Sequence, residues 1–332
     1  MTFDLKGRRF QILIGVVVVQ ALLIAVVYWP RGGTSEEAGE PLLPDIREKA
    51  ERITIEDSEG NALTLAKENG EWVLPDADNF PVESGKAGEF LDKVGGIVKK
   101  QLIARTKKSH KQLKVAESDF ERKASIEADG KTKTLYIGSA VGARSAHTRL
   151  GGENETYVAD DLSSWQAGTD ISSWIDSEYF KVDKDAVQTI SLKNDEGEIV
   201  FERGEGNAWT IKGLRSDETL DDAKMSTLLN RLSPMRMTKP LGKEEKPEYG
   251  LSDPAAVIAL EVAVETGEPN EEEASEEPAE MKTETRAIRI GRKAEDEENY
   301  AAQSSESLYY VELSRWSAGD FTKWKRSDFL KE

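Results

Sequence analysis

The chain has 332 residues, 38% of them apolar and 33% charged, a balance that allows a packed core only where the charge stays on surfaces and loops. Forty-five Lys and Arg against sixty-three Asp and Glu leave a formal charge of -18, a field that repels phosphate backbones and argues against nucleic acid as a partner. Cys is absent and His occurs only at positions 110 and 147, which excludes disulfides, thiolate metal sites and Cys nucleophiles and leaves little material for a His-rich metal site or a Ser/His triad.

From Ile12 to Trp29 the chain reads ILIGVVVVQALLIAVVYW, with Gln20 its one strongly polar residue. A helix of that length rises about 27 Å, close to the thickness of a bilayer core. The composition predicts a cytoplasmic tip over residues 1–10, a transmembrane helix over 11–29 and a linker over 30–45. Lys6, Arg8 and Arg9 precede the apolar run while Glu36, Glu37, Glu40 and Asp45 follow it. This basic flank keeps the amino terminus in the cytoplasm and sends the rest of the chain outside. The run exceeds a signal-peptide h-region of about 7–15 residues and leaves through Val27-Tyr28-Trp29-Pro30 without a small-x-small site, so an uncleaved, single-pass anchor of the inner membrane is expected.

Beyond residue 45 the chain is organised by self-similarity. The segment ERITIEDSEGNALTLAKENGEWVL, Glu51–Leu74, aligns without a gap on QTISLKNDEGEIVFERGEGNAWTI, Gln188–Ile211. Ile53 with Ile190, Gly60 with Gly197 and Trp72 with Trp209 share one offset of 137. Gly138 of TLYIGS and Gly291 of AIRIGR pair at an offset of 153, so the second copy has gained 16 residues. The closing segments 162–180 and 313–331 match Trp165 with Trp316, Trp174 with Trp324 and Phe180 with Phe329. These correspondences predict two tandem homologous domains, 46–180 and 181–332, and make the paired Trp side chains core anchors rather than ligand contacts.

Within each copy, Ile53/Ile55 and Leu63/Leu65 alternate around Asp57-Ser58-Glu59-Gly60-Asn61, as Ile190/Leu192 and Ile199/Phe201 do around Asn194-Asp195-Glu196-Gly197, the pattern of a β-hairpin. A short strand carrying Trp72 or Trp209 follows. Spacings of three and four then predict a helix through Phe90, Leu91, Val94, Ile97 and Val98, and its counterpart through Met225, Leu228, Leu229 and Leu232. Later strands are expected at Ser125–Glu127, Thr134–Ile137, His147–Leu150 and Thr156–Ala159, then at Val257–Val264, Ala287–Ile290, Tyr300–Gln303 and Leu308–Glu312. Short helical segments around the Trp motifs close each copy. The fold class is α+β, mainly antiparallel sheet with one longer helix per domain. The extra residues fall in the run Glu265–Glu284, with nine Glu and a single Lys, which reads as a solvated acidic loop inserted at about 268–284.

The anchor, the tandem I-x-I…G…L-x-L…G-x-W pattern, the helix, YGLSDP at Tyr249–Pro254 and the strand ending in I-G together resemble the domain-of-unknown-function 4340 family (DUF4340) over roughly residues 50–330. The resemblance implies a bacterial envelope protein encoded beside an ABC-2-type permease and a gliding-motility-type component. It brings no reaction and no catalytic residues. Copy one has Gln112-Leu113-Lys114-Val115 where copy two has Tyr249-Gly250-Leu251. A structural role is expected for YGLSDP, with Gly250 as a permissive turn and Asp253-Pro254 as a rigid lead into the next strand.

The chain contains no G-x-S-x-G, H-E-x-x-H, S-x-x-K or G-x-G-x-x-G. The most site-like stretch is GSAVGARSAHTRLGG, Gly138–Gly152, which groups Arg144, His147 and Arg149. No Gly-Lys-Ser/Thr follows it and no strand-to-helix turn is expected, so it fails as a phosphate cradle of that type. His110, inside KKSHKQLK, is expected to be exposed, and neither His has a partner at metal spacing. No catalytic, cofactor-binding or metal-ligating residue is assigned. The sequence leads to a non-catalytic, membrane-anchored extracytoplasmic interaction module, accessory to an ABC-type transporter or envelope complex. Its expected partners are the bilayer, through the N-terminal helix, and an envelope protein such as an ABC-2-type permease complex. Two alternatives stay open. An envelope-glycan or substrate-binding protein needs unpaired exposed aromatics, and a carboxylate-dependent hydrolase needs two converging buried carboxylates.

Overall fold

The computed structural model describes residues 39–266, 280–292 and 298–331, together with Gln20. The expected cytoplasmic tip, membrane helix (Gln20 apart) and linker up to residue 38 lie outside the described residues. Among the described residues no helix is long and apolar enough to cross a membrane. The architecture is α+β, with antiparallel ladders and few helices.

The first half supplies β1 (Ala50–Asp57), β2 (Ala62–Glu68), β3 (Glu71–Leu74), β4 (Phe80–Pro81), the two-residue strands β5 (Val115–Ala116) and β6 (Asp119–Phe120), β7 (Arg122–Ala128), β8 (Lys131–Gly142), β9 (Ser145–Leu150) and β10 (Thr156–Ala159). Eight of them form one sheet in the order β10-β9-β8-β7-β1-β2-β3-β4. Alternation places Ile53, Ile55, Leu63, Leu65, Ala124, Ile126, Leu135 and Ile137 on its buried face. The helix Lys86–Gly95 packs Ala87, Phe90, Leu91 and Val94 into the same core. It is shorter than its apolar pattern suggests: Gly95 and Gly96 end it, and Val98 instead bridges Pro41.

The second half supplies β11 (Glu178–Phe180), β12 (Val187–Asn194), β13 (Gly197–Arg203), β14 (Trp209–Ile211), β15 (Met235–Gly242), β16 (Ala256–Thr266), β17 (Glu280–Ile290), β18 (Tyr300–Ser304) and β19 (Tyr310–Leu313). They form a sheet in the order β11-β15-β19-β18-β17-β16-β12-β13-β14. The helix Asp222–Leu232, capped by the Asp221 carboxylate on the amides of Ala223 and Lys224, buries Met225, Leu228 and Leu232. β11, at the division expected after residue 180, pairs with β15 of the second sheet.

Three sequence expectations are corrected in detail. The hairpins do not align without a gap. Ile55 faces Leu63 and Leu192 faces Ile199, so the offset within the second strand is 136. The gapless register would set Leu65 against Glu202 and turn an apolar face outward, whereas a one-residue shorter turn matches Leu65 to the buried Phe201. The extra residue returns in the turn before Trp209. The acidic insertion is also narrower than 268–284. β16 and β17 stay paired out to Thr266 and Glu280, so Glu280–Glu284 is strand and residues 267–279 lie outside the described residues. Finally, Leu308 is exposed and outside β19, which starts at Tyr310.

The two sheets share a continuous apolar core. They also meet at a polar joint. Asp78 accepts the Lys243 amide at 2.7 Å, and Tyr309 donates its hydroxyl to the Asn79 carbonyl at 2.8 Å. The Tyr309 ring stands edge-on to Phe80, 4.8 Å between centroids, with the Lys243 ammonium 4.7 Å from its centre. Gly242, at φ +98°, has no side chain where the Asp78 carboxylate enters: a Cβ there would lie 2.5 Å from Oδ2.

Candidate functional site

The paired Trp residues divide into two kinds. Trp174 is buried, donating its indole N–H to the Gly168 carbonyl at 2.9 Å, while Trp72, Trp209 and Trp324 are partly buried against the core. Trp165 and Trp316, expected as core anchors, are instead 67% and 74% exposed. The reason lies in the shared Leu-Ser-x-Trp-x-Ala segment. Ser163 and Ser314 each start a single helical turn, at Ser164–Gln166 and Arg315–Ala318. Leu162 and Ala167, like Leu313 and Ala318, supply its inner side and are fully buried. The Trp of each turn therefore faces solvent.

Trp165 stands on a cleft of about 570 Å³ whose apolar part is Phe90 and Trp174, packed edge to face at 5.7 Å. Lys86, Lys93 and Arg144 line it against one carboxylate, Glu89. Just beside it, Asp161 bridges Arg144 at 2.5 Å and Lys93 at 3.3 Å. The Arg144 hydrogen bond, joined by that of Lys93, holds the Asp161 carboxyl below its ordinary pKa. Residues 46–180 carry 24 acidic and 19 basic side chains, against 34 and 22 in residues 181–332. The cleft thus sits in the less repulsive half for an acidic ligand. An exposed indole and an apolar floor can stack on a ligand, with Lys86, Lys93 and Arg144, themselves ion-paired with Glu83 or Asp161, as polar contacts around it.

The site-like run Gly138–Gly152 is spread over three places. Arg144, in the β8–β9 turn, joins the Trp165 cleft. His147 is half-buried on β9, its Nδ1 within 3.1 Å of the Ser139 hydroxyl and 2.9 Å of the Ser139 carbonyl. Arg149, two residues on, is buried and lines a separate cavity. His110 lines that same cavity and is buried, not exposed as expected. Thr106 caps the helix Lys107–Gln112, which turns His110 inward to the Asn154 carbonyl at 2.8 Å and leaves Lys107 and Lys111 exposed at the cavity's rim.

YGLSDP is a docking element for the sheet. Gly250 adopts φ +63°, and Lys114 takes φ +57° at the matching place in copy one. Tyr249 packs on Tyr310 and donates to the Leu241 carbonyl at 3.0 Å. A Cβ on Gly291 would stand 1.8 Å from the Tyr249 carbonyl oxygen, and one on Gly138 would stand 2.1 Å from that of Leu113. The I-G element exists to seat this loop against the strand.

Comparison with known proteins adds one match. A family model described as "Domain of unknown function (DUF4340)" matches residues 72–254, from Trp72 on β3 to Pro254 at the end of YGLSDP. The matched segment starts in the first sheet and ends in the loop just before β16 of the second. No curated protein and no solved structure matches the chain.

Proposed function

The chain belongs to the DUF4340 family, a family of unknown function, and we propose that it is a non-catalytic, membrane-anchored binding module outside the cytoplasm, accessory to an ABC-type transporter or related envelope complex. In this reading residues 11–29 cross the inner membrane with residues 1–10 in the cytoplasm. Residues 46–180 and 181–332 are tandem homologous units. Their matching strand order, with the helices Lys86–Gly95 and Asp222–Leu232 at corresponding points, supports that part of the reading.

The observation that carries the binding role is the outward placement of Trp165 and Trp316 on matching segments. Trp is among the side chains enriched at the energetic hot spots of protein interfaces, and packing explains neither indole here. The partner is a membrane protein of the ABC-2-type permease class. A photo-crosslinking residue placed at position 165 or 316 of the full chain in native membranes tests this: a permease should be captured from at least one position. Failure at both positions, with the protein folded and inserted, would sink the reading. A second reading, envelope-glycan binding, is favoured by the stacking surface and cations of the Trp165 cleft, and predicts glycan fragments at position 165 alone.

A further inference from the structure

Among the described residues the fold buries two basic side chains, Arg149 at 3% exposure and His110 at 4%, and both line one cavity of about 220 Å³. Burying a guanidinium is costly unless its donors and its charge are both met. Arg149 has five N–H donors. Nε gives one to the Val115 carbonyl at 2.7 Å, and Nη1 gives two, to the carbonyls of Leu150 at 3.1 Å and Glu153 at 2.7 Å. The Tyr136 ring backs the guanidinium carbon at 4.7 Å. These contacts fix the group in place and satisfy three donors without neutralising it. The two N–H groups of Nη2 take no protein acceptor, and Arg149 has no carboxylate partner among the described residues.

The helix Lys107–Gln112 brings Lys107 and Lys111 to the same cavity, one turn apart and equally without carboxylate partners. Glu117 and Glu153 are the opposing carboxylates of the lining. Three basic side chains therefore face two carboxylates in a chain whose overall charge is -18. We infer that this cavity is a binding site for a small phosphate-class anion, free or as the terminal group of a larger molecule. The Nη2 face of Arg149 is its fixed pair of donors, and Lys107 and Lys111 are flanking point charges. The design differs from a glycine-rich cradle, because its donors are side chains held by a strand and a helix rather than loop amides. It does not depend on the transporter reading.

Calorimetric titration of the full chain in detergent micelles with inorganic phosphate tests the site, with glycerol 3-phosphate as the monoester probe and acetate as the carboxylate probe. Phosphate should bind more tightly than acetate. Comparable binding of glycerol 3-phosphate supports the terminal-group source, and binding of phosphate alone supports the free anion. The Lys107→Ala, Lys111→Ala double variant removes two exposed side chains, so it should weaken phosphate binding about tenfold or more with an unchanged melting temperature. Arg149→Lys should also lose binding, with its melting temperature measured alongside because Arg149 also ties three carbonyls. No phosphate binding by the unmodified chain, acetate binding as tightly as phosphate, or undiminished binding by the double variant would each overturn the assignment.

Discussion

Trp165 and Trp174 stand nine positions apart and do opposite work. Trp174 fills space beside Phe90 beneath the cleft, so Trp174→Ala should destabilise the chain by about 3–5 kcal/mol, the range for deleting a core aromatic. Trp165→Ala removes a solvent-facing indole and should change stability by no more than about 0.5 kcal/mol. Denaturant titration of the two variants separates the roles, and equal losses would refute the division. The pairing of Trp165 with Trp316 across the two copies predicts burial. The finer spacing within Leu-Ser-x-Trp-x-Ala carries the opposite information, since Leu162 and Ala167 occupy the inner positions of a single turn. Repetition marks a residue as part of the unit's plan, and that plan includes its surface. The cleft itself was not legible because its walls come from positions 86, 93, 144, 165 and 174, which only the strand order and the packing of the helix bring together.

At the scale of elements, each hairpin is tied to the segment that closes its sheet, by different chemistry. In the first, Asp57 accepts from the Asn61 side chain, from the Thr169 hydroxyl and from the amides of Glu59 and Asn61, all at 2.9 Å. In the second, Asn194 stands at the same place and donates to the carbonyls of Phe321 and Trp324, both at 2.8 Å. The Asn61 bond, with those of Thr169 and the two amides, lowers the Asp57 pKa to about 2. A carboxyl held below its unfolded value contributes stability above about pH 4 and loses it as pH falls through about 2. The first tie should therefore loosen in acid and the second should not. Comparing the stability of the unmodified chain with that of Asp57→Asn between pH 4 and pH 2 reads this contribution, at most about 2 kcal/mol. Parallel curves would refute it. The hairpins were legible from alternation, and so were β3 and β7 to β10, whereas the two-residue strands β4, β5 and β6 are too short to show any period. β15 was not, because Pro240 interrupts the pattern with a residue that cannot donate to a ladder. The strand accommodates it with register shifts on either side.

At the scale of the whole molecule, the joint decides whether the sheets behave as one body. Gly242 admits the Asp78 carboxylate, and Tyr309 closes over the Asp78–Asn79 turn. Gly242→Ala places a methyl in that contact at a positive φ, a change that costs about 1–3 kcal/mol. The unmodified chain should unfold in one transition, and the variant should resolve into two by calorimetry. A single unshifted transition in Gly242→Ala would show that the joint does not couple the sheets.

A rigid joint also makes the molecule a gauge. Trp165 and Trp316 project from the helical turns that follow β10 and β19, one beside each sheet, and with the joint closed their separation is a constant of the fold rather than an average over hinge positions. A partner with two sites at that spacing gains its second contact at high effective concentration once the first is made, whereas a partner of any other span engages one indole at a time. Selectivity can then reside in a length, measured between two tryptophans, with neither contact needing to be specific by itself.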